Sequence, residues 1–97
     1  MLVIVSYDVS TLTKEGRKRL RHVAKICQSY GQRVQNSVFE CELDHSQWVK
    51  VKAELLNEIN LQEDSLRIYL LGNHWHGHKE HFGTKKTFDI AEDVLLI

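Results

Sequence analysis

The 97-residue chain has no long apolar segment, no signal-peptide pattern and only two cysteines. A membrane-spanning helix needs about 20 consecutive apolar residues, so the sequence predicts no membrane span. The apolar run that starts at Leu2 is not preceded by a basic region, which argues against a secretory leader. Cys27 and Cys41 stand alone, without the paired spacing of metal ligands. We therefore expect buried thiols and a cytoplasmic location.

A net charge is also missing, because the chain holds 13 acidic and 13 basic residues. The two signs are nevertheless segregated. Residues 14–33 contain seven basic residues against one acid, Glu15, whereas residues 40–64 contain seven acids against two lysines. A polyanion should prefer the first segment, and a basic partner or a second copy of the chain could use the second.

The first predicted strand, residues 2–8, ends in a carboxylate. Its apolar character is typical of a central strand that is buried on both faces. Neighbouring strands hold the end of such a strand rigidly, which makes Asp8 the candidate residue for chemistry. The alternative is structural, since an aspartate at this place can accept hydrogen bonds from backbone amides of the following turn. The residues alone leave both interpretations open.

An amphipathic helix is predicted after this strand. Thr13 is a suitable N-cap, and Leu20, Val23 and Cys27 recur at helical spacing to form an apolar stripe. Gly31 is a typical residue for the end of a helix. The stripe predicts that one side of this helix packs on the sheet.

Two more strands, a second helix and a further strand follow in the predicted order. Residues 32–43 predict two short strands, or one sharply kinked strand, with the break near Asn36. Asp44 and Gln47 have the spacing of a capping box, which predicts the start of the second helix. Residues 65–71 alternate between apolar and polar positions, as expected of a strand.

This order of elements predicts an α+β fold. The economical arrangement is a ferredoxin-like βαββαβ sheet with two helices on one face and right-handed crossovers. A chain of 97 residues builds only a modest core, so oligomerisation is expected. The sheet face away from the helices, which carries Tyr69 and Leu71, is the candidate homodimer surface.

The first predicted helix presents a basic surface. At 100° per residue, the face opposite the apolar stripe holds Lys14, Lys18, Arg21, His22 and Lys25. An ordinary solvated face is one interpretation, but a surface of a single sign favours contact with phosphates. The predicted nucleic-acid contacts, with little readout of base sequence, are Lys14, Arg17, Lys18, Arg19, Arg21 and Arg33.

We divide the chain into a ferredoxin-like domain, residues 1–73, and a C-terminal part, residues 74–97. In the second part, His74, His76 and His78 would share one side of an extended segment. They form either a zinc or nickel site or a polar, pH-sensing loop that gains positive charge below pH ~6.5. The apolar residues 93–97 are predicted to pair as an extra C-terminal strand with another subunit or a partner protein.

Four segments together resemble one known family. They are the strand end Tyr7-Asp8-Val9, the basic run at 16–21, residues 31–41 (GQRVQNSVFEC) and residues 65–73. These segments look like the second core family of CRISPR-associated adaptation proteins, the small endonuclease-fold partner of the CRISPR integrase, here of the type I-C kind. The resemblance covers essentially the whole chain, and the motif at 31–41 is quite specific.

The resemblance implies a ferredoxin-like homodimer that bridges integrase subunits and holds the double-stranded DNA to be inserted into the repeat array. It also implies a metal-dependent nuclease of duplex DNA or RNA, with Asp8 as the catalytic and metal-binding residue and Mg²⁺ or Mn²⁺ as cofactor. Because Mg²⁺ commonly needs only one or two protein carboxylates, the Asp8 residues of two copies could share one ion. The alternative is a non-catalytic DNA-binding scaffold of the integration complex.

Overall fold

The structure, a computed structural model, describes residues 1–71 and 78–84, with His78 described by its backbone only. Its elements are β1 (Leu2–Asp8), α1 (Lys14–Tyr30), β2 (Gly31–Gln35), β3 (Val38–Glu42), α2 (His45–Glu58), β4 (Ser65–Leu71) and β5 (His78–Gly83).

The strands form one antiparallel sheet in the order β2-β3-β1-β4-β5. β1 lies at the centre, and its last residue, Asp8, pairs with Ser65 of β4. Each helix connects two strands that run in the same direction and have one other strand between them. This is the ferredoxin-like βαββαβ arrangement, so the predicted fold class is confirmed. The homodimer stays a prediction.

Both helices begin where local sequence predicts. The Thr13 hydroxyl accepts a hydrogen bond from the Gly16 amide at 3.0 Å, which caps α1. At the start of α2, the Asp44 side chain accepts from the Gln47 amide at 2.7 Å and the Asp44 amide donates to the Gln47 side chain at 2.9 Å. Neither helix is long and apolar enough to cross a membrane.

The core lies between the sheet and the two helices. In β1, β3 and β4, alternate residues that face the helices are buried, as the period of two along a strand requires. The fully buried residues of this layer are Val3, Val5, Val23, Cys27, Phe39, Cys41, Val51, Leu55, Leu66 and Ile68. Trp48 of α2 is also buried in this layer.

The opposite face of the sheet carries a smaller cluster. Ile4 and Tyr69 are buried there, and Val38 and Leu71 pack against them. Asp8 follows Ile4 by four residues along β1, so its side chain projects on this same face. The predicted dimer surface and the candidate catalytic residue therefore share one side of the sheet.

β5 is an addition to the predicted pattern. It lies in the part of the chain that we interpreted as a histidine-rich loop, and it pairs with β4 along its whole length. His74, His76 and residues 93–97 lie outside the described residues. Their predicted roles, and the division of the chain at residue 73, stay predictions.

Candidate functional site

The Asp8 carboxylate is exposed at the end of the central strand. Its backbone is held by β4, and the loop after it, residues 9–13, leads directly into α1. An exposed carboxylate on a rigid backbone meets the first requirement for a metal ligand or a catalytic group. Asp8 lies at the end of β1, as predicted, and its catalytic and metal-binding roles stay predictions.

The basic face of α1 is exposed and has few charged partners. Lys14, Lys18, Arg21 and Lys25 are all exposed, and none of them forms an ion pair with another described residue. One partner does occur on this side of α1, where His22 Nδ1 lies 2.7 Å from Glu58 Oε1 of α2. A group of unpaired cations on a rigid helix attracts a polyanion.

Two other predicted phosphate contacts already bind the chain itself. Arg17 donates from Nη1 to the Thr11 carbonyl oxygen at 3.1 Å, and Arg33 donates from Nη1 to the Asn36 carbonyl oxygen at 2.7 Å. The Arg33 guanidinium also lies 4.9 Å from the centre of the Phe39 ring. Both arginines remain exposed, and a guanidinium has five N–H donors, so each retains donors for a ligand.

Arg19 differs from the other basic residues of α1. Its Nε donates to Asp64 Oδ2 at 2.9 Å, its Nη2 donates to Asp64 Oδ1 at 3.3 Å, and the same nitrogen lies 3.5 Å from Glu63 Oε2. The side chain is only 15% exposed. Its predicted contact with nucleic acid stays a prediction, but most of its donors are already used inside the chain.

Asp64 is fully buried and is a residue whose importance the sequence did not indicate. Burial alone would raise the pKa of its carboxyl group. The hydrogen bonds from Arg19 and from the Asn60 and Ser10 amides outweigh burial, so the pKa lies below its ordinary value of 3.8. Asp64 is therefore held as a carboxylate, and the same pair raises the pKa of Arg19.

A second polar pair lies on the Asp8 side of the sheet. Arg67 of β4 is buried and donates from Nε to Nδ1 of His81 in β5 at 3.4 Å. Burial and the charges of Arg67 and Lys79 lower the pKa of His81, although a hydrogen bond with the Gly83 backbone opposes them. Alternation along β4 places Arg67 on that face, whereas the sequence does not predict β5, the strand that carries His81.

The described residues contain no group of three His, Cys, Asp or Glu side chains that could hold a metal ion. Among the residues that the structure describes, Asp8 is the exposed carboxylate at the end of β1. Mg²⁺ retains several waters and is commonly held by one or two carboxylates, so Asp8 fits such an ion if a second copy supplies its own Asp8.

The fold and the site define a small ferredoxin-like protein whose central strand ends in an exposed carboxylate next to a basic helix. The chain belongs to the CRISPR associated protein Cas2 family, whose model matches residues 1–79. This family acts in CRISPR adaptation. The predicted family is confirmed, and the type I-C assignment stays a prediction.

Curated relatives match over almost the entire chain. A protein of Chlorobaculum tepidum named CRISPR-associated endoribonuclease Cas2 is 55% identical over 99% of this chain and 100% of its own length. A protein of Halalkalibacterium halodurans named CRISPR-associated endonuclease Cas2 is 54% identical over the same shares.

Solved structures agree with the fold. Crystalline Streptococcus pyogenes Cas2, determined at pH 6.5, matches with a TM-score of 0.69 and 56% identity over 78% of this chain and 92% of that one. A hypothetical protein from Thermus thermophilus matches with a TM-score of 0.62 and 37% identity over 70% of this chain and 77% of that one.

Proposed function

We propose that the protein is a homodimeric endonuclease of CRISPR adaptation that cleaves phosphodiester bonds with the help of Mg²⁺ or Mn²⁺. The observation that carries this proposal is the exposed Asp8 carboxylate at the rigid end of β1, a few residues before the basic face of α1, whose lysines and Arg21 form no ion pair with a described residue. The names of the relatives, endoribonuclease and endonuclease, support a nuclease and leave RNA and duplex DNA as the two substrate classes.

Asp8 would hold the ion together with Asp8 of a second copy. The ion would polarise the scissile phosphate and lower the pKa of a bound water, which supplies the nucleophile. Two carboxylates that face each other across a two-fold axis repel, so a bound cation would also stabilise the dimer. The sheet face that Asp8 shares with Tyr69 and Ile4 is the surface proposed for this dimer.

The basic face of α1 would hold the nucleic acid through its phosphates. The proposed contacts are Lys14, Arg17, Lys18, Arg21 and Arg33, with Arg19 as the weakest member because Asp64 and Glu63 occupy its donors. Such contacts position the backbone and carry little sequence information. They suit a protein that holds double-stranded DNA of any sequence for the integrase subunits, the partners that we propose.

The decisive experiment compares wild type with Asp8→Asn on duplex DNA and on RNA, in Mg²⁺ and in Mn²⁺. We expect cleavage of one or both substrates to fall at least ~100-fold in the variant, since the catalytic carboxylate is lost. Binding of duplex DNA, measured in parallel, should change less than about threefold. Equal cleavage by wild type and variant would show that the activity does not depend on Asp8.

A second candidate function is a scaffold that binds DNA for the integrase without cleaving it. The observation in its favour is that a single chain supplies one carboxylate and no three-ligand cluster among the described residues. The same experiment separates the two functions, because a scaffold binds duplex DNA with salt-dependent affinity and shows no metal-dependent cleavage above the Asp8→Asn background.

We also propose a cytoplasmic location. Cys27 and Cys41 are unpaired and buried, as is typical of a protein in a reducing compartment.

A further inference from the structure

The Asp64 carboxylate joins three segments of the chain, and Asp64 immediately precedes Ser65, the strand partner of Asp8. Its Oδ1 accepts from the Ser10 amide at 3.0 Å, and its Oδ2 accepts from the Asn60 amide at 2.9 Å. Arg19 of α1 donates to both oxygens. Each carboxylate oxygen thus accepts two hydrogen bonds, and the group is fully buried.

The backbone of Asp64 also contacts the end of β5. We call this set of contacts around Asp64 the junction. Its carbonyl oxygen accepts from the Thr84 amide at 3.1 Å. Gly83 has a positive φ of 105°, and a Cβ atom there would lie only 2.0 Å from that carbonyl oxygen. The close approach of β5 to Asp64 therefore requires glycine at this position.

Ser10 is held from the other side as well. A Cβ atom at Gly16, in the first turn of α1, would lie 2.0 Å from the Ser10 carbonyl oxygen. The backbone of Ser10 is thus enclosed between the start of α1 and the Asp64 carboxylate. Ser10 is only two residues after Asp8, so its position limits where the Asp8 backbone and the first turn of α1 can lie relative to each other.

We propose that Asp64 and Arg19 are positioning residues for the nuclease site. They hold the loop after β1 in one conformation and so set the spacing between the Asp8 carboxylate and the basic face of α1. This inference rests on the proposed function, in which α1 holds the phosphates and Asp8 acts on one of them. Small displacements of a catalytic group lower turnover strongly, whereas substrate binding depends on the helix face and is retained.

The test compares Asp64→Asn with Glu63→Gln. Asp64→Asn places an amide donor opposite the donors of Arg19 and Asn60. Glu63→Gln removes a negative charge from the residue beside Asp64 and leaves the hydrogen bonds of Asp64 intact. Both are assayed as full-length protein under conditions where circular dichroism shows them folded. We expect Asp64→Asn to lower kcat of metal-dependent cleavage at least tenfold with KM within twofold, and Glu63→Gln to change neither beyond twofold.

Amide hydrogen exchange provides a readout that does not require activity. In Asp64→Asn the Ser10 amide should exchange at least tenfold faster than in wild type. The Ile68 amide in the middle of β4 is the reference, because its exchange reports global opening, and any change at Ile68 is subtracted from the change at Ser10. If Asp64→Asn does not fold, Arg19→Lys is tested in its place. Lysine keeps the positive charge but cannot donate to both carboxylate oxygens in the planar geometry of a guanidinium. The decrease in kcat and the faster exchange of the Ser10 amide should then appear with smaller magnitude.

A folded Asp64→Asn protein with wild-type kcat, or a Ser10 amide that exchanges no faster relative to Ile68, would overturn the positioning role. A wild-type protein without any metal-dependent cleavage would instead overturn the proposed function. In that case the exchange at Ser10 alone decides whether Asp64 holds the loop.

Discussion

Asp8 ends β1 with an exposed carboxylate, whereas Asp64, the residue before the strand partner of Asp8, is fully buried and accepts four hydrogen bonds. The two aspartates lie at the same end of the sheet, in a chain of the Cas2 family, and differ mainly in what surrounds them. Donors from three segments satisfy Asp64 completely. Solvent reaches Asp8, which is therefore the carboxylate that can meet a substrate or an ion.

The same contrast separates two arginines of α1. Arg19 pairs with Asp64 and is 15% exposed, while Arg21, two residues later, is exposed and forms no ion pair with a described residue. A basic run in the sequence thus contains both a structural cation and surface cations. Residue type alone does not assign them, because the assignment depends on which side of the helix meets a buried acid.

The largest expected effect concerns stability. Asp64→Ala should lower the free energy of unfolding by about 3–5 kcal/mol, since it leaves Arg19 and two backbone amides without their acceptor. Asp8→Ala should lower the free energy of unfolding by much less, because Asp8 is exposed to solvent. Urea unfolding of the two variants measures both values. Similar values would remove the distinction between a structural and a functional aspartate.

A smaller loss of stability is expected from Gly83→Ala. A side chain at a positive φ costs about 1–3 kcal/mol, and the added Cβ would also meet the Asp64 carbonyl oxygen. Thr84→Ala is the matched control, because Thr84 is exposed and contributes its backbone amide to the junction. Thermal unfolding should separate the two variants; equal melting temperatures would show that β5 does not need its close approach to Asp64.

The salt dependence of duplex DNA binding tests the contrast between the arginines. Each lost phosphate contact reduces the slope of log affinity against log salt by about 0.9. Arg21→Gln should therefore reduce the slope by about that amount for each bound subunit, and Lys18→Ala with Arg21→Ala by about twice as much. Arg19→Gln, the matched control on the same helix, should reduce it by less than about 0.3. An unchanged slope in the double variant would exclude this face of α1 from the interface.

The smallest expected effect is a pH dependence. Because the pKa of Asp64 is lower in the folded chain than the ordinary value of 3.8, its carboxylate contributes stability above that pH, and the contribution disappears as the pH falls through the folded-state pKa. Each unit of pKa difference corresponds to about 1.4 kcal/mol. Asp64→Asn should be less stable than wild type at pH 7, and the gap should narrow below pH ~3.8. Urea midpoints of wild type and Asp64→Asn between pH 7 and pH 3 measure this difference in stability. A difference that stays constant over this pH range would contradict an ionised, buried Asp64.

Much of the fold could be predicted because its signals are local. The caps at Thr13 and Asp44 join residues three positions apart, and the apolar stripe of α1 follows the helical period. The exposed end of β1 follows from the apolar run that stops at Asp8. These features need no knowledge of distant partners.

The junction around Asp64 could not be predicted for the opposite reason. Its contacts with Ser10 and Arg19 span 54 and 45 residues, and nothing in the local sequence distinguishes it from its exposed neighbour Glu63. Gly83 offered a weak signal, since an isolated glycine often marks close backbone contact, but the strand that it ends was not recognised.

The sequence by itself determined the order of elements from β1 to β4, the ferredoxin-like sheet that they build and the place of Asp8 at a strand end, because short-range periodicity and capping specify them. Only the tertiary structure decided which charges became structural. A buried carboxylate needs donors to offset its lost hydration, and packing of α1, the α2–β4 turn and the loop after β1 brings those donors to Asp64.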